Sequence, residues 1–132
     1  MIAFDTNVVV RLMVEDDEAQ ARRAQRLLGG AVERGERVLI TDIVLCELEW
    51  VLDSAYKVPR RRILAAVQAL AGDPRFGFES AARLAQALDR YQQGTGDLSD
   101  YLLGLAGRDA GASTTYTFDR ERRREEPFTA IG

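Results

Sequence analysis

The chain has 132 residues, the size of one small domain, and its 46% hydrophobic and 30% charged residues give the balance of a folded protein, not a disordered one. It has no histidine and a single cysteine, Cys46, which excludes Ser-His-Asp and Cys-His catalysis, zinc–histidine sites and any intrachain disulfide. The formal net charge of −3 excludes a protein that holds nucleic acid by bulk positive charge, although every cation except Lys57 is arginine and several cluster, at 60–62 and at Arg120 with Arg122, Arg123 and Arg124.

Ile2-Ala3-Phe4 reads as a short buried strand that ends at Asp5. Asp5-Thr6-Asn7 offers three helix caps before a short helix over Val8 to Met13. From Asp17 to Val32, Ala19, Ala24, Leu27, Leu28 and Val32 recur at roughly helical spacing, and Gly29-Gly30 weakens the end. Val38 to Ile40 is a second strand. Thr41-Asp42 opens a helix from Ile43 to Ala55, and Pro59 suits the first position of the next, which runs to Ala71. Phe76 to Phe78 gives a third strand and Ser80 to Gln93 an amphipathic helix closed by Gly94-Thr95-Gly96. A helix from Ser99 to Ala110 precedes a β-branched and aromatic strand, Thr114 to Phe118, that ends at Asp119; Phe128 to Ile131 suits a last edge strand. Strands alternating with helices predict an α/β/α sandwich with a mainly parallel central sheet of four or five short strands, as one domain over 1–132. No apolar run approaches the roughly 18 residues of a membrane span, and Asp5 interrupts the N-terminal one, so neither a membrane segment nor a signal peptide is expected. A lone thiol in an apolar run fits a reducing cytoplasm.

Four carboxylates stand out. At about 100° per residue along the helix from Ile43, Asp42, Glu49 and Asp53 fall together as a solvent face. Glu47 falls on the other side, among Ile43, Trp50 and Val51. A carboxylate on an apolar face is costly without a partner, either an arginine in a structural ion pair or a bound cation. Asp5 and Asp119 each end a strand, where ligands sit in parallel α/β sheets, and each also suits a helix N-cap. Asp100 stands third in a helix that Asp97 would cap, an arrangement that also serves as an imperfect capping box. If the four converge, they need a cation to stay ionised together, and hard oxygen donors without imidazole or thiolate select Mg²⁺, or alternatively Mn²⁺. Such a site suits phosphodiester hydrolysis.

The opening Ile2-Ala3-Phe4-Asp5-Thr6-Asn7, Glu47 within Cys46-Glu47-Leu48-Glu49-Trp50-Val51-Leu52, Asp97-Leu98-Ser99-Asp100-Tyr101-Leu102 and Thr117-Phe118-Asp119-Arg120 together resemble the PIN domain, and specifically the VapC-type toxins of bacterial toxin–antitoxin modules. Order, spacing and length agree over essentially the whole chain. The resemblance implies a Mg²⁺-dependent endoribonuclease held inactive by a cognate VapB-type antitoxin, usually in a dimer-based complex. It matches Asp5, Glu47, Asp100 and Asp119 to the family's acidic residues, with Asp97 as the alternative to Asp100, and Asn7 and Thr117 to polar positions near them. Arg122, Arg123 and Arg124 follow Asp119 closely and suit contact with RNA phosphates, or else form a solvated surface. The short, highly charged tail and Leu98-Ser99, where the family often has a small residue, depart from the pattern. A catalytically silent PIN-like binding module is the alternative. A dehalogenase-type phosphatase needs a second aspartate where Asn7 stands, and a receiver domain needs a late lysine, whereas Lys57 lies between two helices.

Overall fold

Short runs of apolar and β-branched residues, each stopped by a cap residue, give the N-terminal half its sheet. The computed structural model describes residues 1–14 and 16–132, and its backbone gathers into two units, Met1–Ala81 and Ala82–Gly132. In the first, β1 (Ile2–Ala3), β2 (Val38–Ile40) and β3 (Phe76–Phe78) pair in parallel in that order, with Ile2 opposite Val38 and Val38 opposite Phe76. The helices α1 (Thr6–Met13), α2 (Glu18–Glu33), α3 (Asp42–Ser54) and α4 (Arg60–Ala71) connect them, and α1 packs on both α2 and α3.

Caps set the helix starts. Asp5 accepts from the Val8 N–H at 3.1 Å, so α1 begins two residues earlier than its apolar pattern predicts. Asp17 caps α2 through the Gln20 N–H and Thr41 caps α3 through the Val44 N–H. Pro59 stands as the N-cap of α4, one position ahead of the expected first turn. The buried stripe of α2 is Ala21, Ala24, Leu28 and Ala31, while Ala19, Leu27 and Val32 face solvent. The small residues win the inner face because α2 lies close against α1, where alanines let two backbones approach.

In the second unit, α5 (Ala81–Gln93, starting at the boundary) and α6 (Leu98–Asp109) bury Leu84, Leu88, Tyr91, Leu98, Leu102 and Leu105. β4 (Thr115–Thr117) pairs in parallel with β5 (Phe128–Ala130), Thr115 opposite Phe128, and a 3₁₀ turn at Arg120–Arg122 links them. Pairing is thus parallel within each ladder, one of three strands and one of two. The last strand, expected at an edge, arrives beside β4 after a stretch whose turn the charge run hid. No described helix is long and apolar enough to cross a membrane.

Gly104 lies on α6 under the Phe128 ring, where an added Cβ would stand 2.7 Å from Cζ. Gly104→Ala is therefore expected to destabilise by about 1–3 kcal/mol through overpacking. Gly29, exposed within α2, has nothing within 4 Å of an added Cβ. Gly29→Ala is expected to stabilise by about 0.5–1 kcal/mol through helix propensity. Urea denaturation of the two variants beside wild type checks both signs.

Candidate active site

The first unit offers a small polar group at the end of β1. The chain leaves the strand at Phe4, turns at Asp5 and enters α1, so the Asp5 carboxylate stands at the helix N-terminus. One oxygen, Oδ1, accepts the Val8 N–H; Oδ2 has no partner among the described residues. Thr6 follows, buried in the first turn, and its hydroxyl donates to Glu47 Oε1 at 3.0 Å. This bond joins α1 to α3 and orients the Glu47 carboxylate. Thr6 was not singled out as a site residue in the sequence. Its only signal is its place directly after the strand-ending aspartate. Asn7 is exposed on the same turn.

The orientation of α3 corrects one expectation. Glu47 does share a side with Ile43 and Trp50, but that side is the exposed one, with Ile43 72% and Trp50 69% exposed. Val44, Leu45, Leu48 and Leu52 form the inner stripe and carry Glu49, 7% exposed, into the protein with them. Asp53 alone of the expected solvent face is exposed, and Asp42 is half-buried. Helical spacing groups the residues correctly, but α3 has two apolar stripes, and periodicity does not tell which one meets the core. Glu47 is thus a hydrogen-bonded, solvent-facing carboxylate, available to a ligand without the desolvation cost expected for it.

In the second unit, Asp97 and Asp100 form a capping box at the start of α6, and Asp100 Oδ2 accepts the Asp97 N–H at 2.9 Å. Asp100 is half-buried and Asp97 exposed. Asp119 follows β4 and caps the 3₁₀ turn, its Oδ1 accepting the Glu121 N–H at 3.0 Å. The Thr117 hydroxyl accepts the Asp119 N–H at 3.1 Å, so Thr117 fixes the backbone that presents this carboxylate. Asp119 Oδ2 lies 3.4 Å from Arg122 Nε.

The expectation that Arg122, Arg123 and Arg124 all face RNA does not hold for Arg122. Its guanidinium is 1% exposed and is surrounded by Tyr101, Thr95 and Glu125. Burial lowers the Arg122 pKa, but the electrostatic pull of the Tyr101 oxygen and of the Glu125 carboxylate, with the Tyr101 hydrogen bond, outweighs it and leaves the group more basic than usual. Burial, with the hydrogen bond to Glu125, raises the Tyr101 phenol, so it remains a neutral donor. Arg123 and Arg124 stay exposed and line an open depression with Thr95, Arg120 and Glu121.

Asp5, Glu47 and Asp100 each keep one carboxylate oxygen that no described residue engages, and the donors are hard oxygens throughout. That chemistry fits Mg²⁺ or Mn²⁺. Among the described residues, no three acidic side chains are gathered into a group that would hold a metal ion. Within the first unit the structure pairs Thr6 with Glu47, and within the second it pairs Asp119 with Arg122.

The PIN domain family model matches residues 2–124, from the start of β1 to just past the 3₁₀ turn. The chain is also similar to the VapC ribonuclease of Aquifex aeolicus (strain VF5), 22% identical over 120 residues that cover 91% of this chain and 88% of that protein.

Because Asp5 is also a cap, its substitutions separate fold from chemistry. Asp5→Ala is expected to lose about 1 kcal/mol of stability with the N-cap, and Asp5→Asn only a few tenths, since an amide oxygen still accepts the Val8 N–H. Thermal melts of both variants without added metal check the difference.

Proposed function

The chain belongs to the PIN-domain family, and on that premise we propose that it is a Mg²⁺-dependent endoribonuclease, with Mn²⁺ as the alternative ion, acting as the toxin of a toxin–antitoxin module. The observation that carries the reading is that Asp5, Glu47 and Asp100, all matched to the family's acidic residues, each hold one oxygen in a fixed hydrogen bond and keep the other without a described partner. Such groups are oriented and still open to a ligand.

In this reading Asp5, Glu47, Asp100 and Asp119 would hold the ion, with Asp97 as an alternative to Asp100. When bound, the ion supplies an activated water and stabilises charge on the phosphate. The protein contributes orientation. The Val8 N–H at the start of α1 holds Asp5, Thr6 aims Glu47, and Thr117 fixes the backbone of Asp119. Asn7, exposed in the first turn of α1, would meet a substrate hydroxyl or phosphate. Arg123 and Arg124 draw the RNA backbone toward Asp119. The natural partner is a small VapB-type antitoxin over the acidic residues, with an arginine standing in for the cation. Assembly as a homodimer follows the family habit. The similar Aquifex protein, itself a VapC ribonuclease, supports RNA as the substrate.

The test is cleavage of RNA by purified protein with Mg²⁺ and with chelator. Asp5→Asn and Asp100→Asn are expected to reduce the rate by about a hundredfold or more, the scale of losing several kcal/mol of charge stabilisation, while still melting cooperatively. Near-native cleavage by either variant at matched Mg²⁺ would remove it from the site. An inactive wild type with intact fold would favour the catalytically silent binding module. Co-expression with the adjacent reading frame is expected to give a stable complex of low activity.

A further inference from the structure

We propose that Arg122 is a positioning residue whose buried guanidinium fixes the Asp119 carboxylate for the reaction; this deepens the ribonuclease reading and rests on it. Nη1 lies 2.5 Å from Glu125 Oε1 and donates to the Tyr101 hydroxyl at 2.8 Å, and Nη2 donates to Thr95 Oγ1 at 2.7 Å. These contacts hold one end of the group. Nε is buried and makes no hydrogen bond, yet it faces Asp119 Oδ2 at 3.4 Å. The edge of the guanidinium without a hydrogen bond is thus the edge that meets the candidate catalytic carboxylate.

Asp119 is correspondingly held at both oxygens. Oδ1 accepts the Glu121 N–H, and Oδ2 lies against the buried positive charge. A carboxylate held only by its cap can swing Oδ2 about χ2, whose energy profile is broad. The charge opposite Oδ2 removes that freedom and keeps the carboxylate in one orientation. The surroundings are shaped for this placement. A Cβ at Gly96 would collide with Arg122 Nη1, and one at Gly94 with the Tyr101 hydroxyl, so the loop after α5 closes around the pair only as glycines. A purely structural need at this position would be met as well by an apolar side chain of similar volume, because burying a charge costs desolvation that its partners must repay.

The experiment compares wild type with Arg122→Lys and Gly104→Ala. Lysine keeps the charge near Glu125 but has no Nε fork to oppose Asp119. Gly104→Ala strains the packing against Phe128 and leaves every Arg122 contact in place. Arg122→Lys is expected to lower kcat about tenfold or more with KM within about twofold, as for a misplaced reacting group. Calorimetry on the RNA-free protein is expected to show weaker Mn²⁺ binding for this variant. Gly104→Ala is expected to leave kcat and Mn²⁺ affinity within about twofold of wild type even where it melts as low as Arg122→Lys. Activity falling in step with melting temperature in both variants, or unchanged kcat in Arg122→Lys, overturns the proposal. If Arg122→Lys does not fold, the Arg122 Nε–H proton resonance of the wild-type protein decides. It is expected to exchange slowly and to move on Asp119→Asn; a resonance that does not respond overturns the proposal. A responding resonance in a protein that cleaves no RNA supports the pairing and overturns the ribonuclease reading alone.

Discussion

A guanidinium withdrawn from water must be met by acceptors on nearly every edge, because an unpaired buried charge costs several kcal/mol, on the order of 3–5 when one partner is lost. Arg122 imposes that demand on the second unit. It draws the Tyr101 hydroxyl from α6, Thr95 from the loop after α5, and Glu125 from the stretch before β5 onto one group. Tyr101 in turn accepts the Gly96 N–H and donates to Glu125, so the loop, the helix and the charged stretch share one network. The parallel pairing of β4 and β5 lies on either side of the turn that carries Arg122. A run of charges that looks like a solvated tail therefore contains the polar core of this unit.

The candidate site depends on a second economy, the use of one carboxylate for two purposes. Asp5, Asp100 and Asp119 all stand at N-termini of helical turns and all accept backbone N–H groups. A cap holds the carboxylate in one rotamer and leaves the lone pairs of its second oxygen directed outward, a geometry that suits a metal ligand or a general base. The structural and functional explanations of these residues are consequently compatible, which is why neither spacing nor geometry alone separates them. Glu47 differs. It is mid-helix, aimed by Thr6 and exposed, so no cap accounts for it.

Its neighbours Ile43 and Trp50 remain exposed on the same side of α3. Two apolar side chains of this size beside a carboxylate give the face a mixed character that suits contact with a protein or a base better than with bulk water. The buried Glu49 on the other side has interactions of its own and belongs to the inner packing of α3.

The sequence by itself determined the element order, because helix periodicity, caps at Asp17 and Thr41 and β-branched runs at 38–40 and 115–117 are local signals read within a few residues. It also determined the family, through acidic residues placed in order along the chain. Which face of α3 turns inward was not legible, since two apolar stripes compete and only the packing of α1 and α4 against α3 chooses between them. The role of Thr6 was hidden because its partner lies 41 residues away. Arg122 is the clearest case. Nothing adjacent distinguishes it from Arg123 and Arg124, and its burial exists only once Thr95, Tyr101 and Glu125 are brought around it. Local propensity acts over one or two turns of chain, whereas burial and charge pairing are set by residues distant in sequence, and those only the tertiary structure supplies.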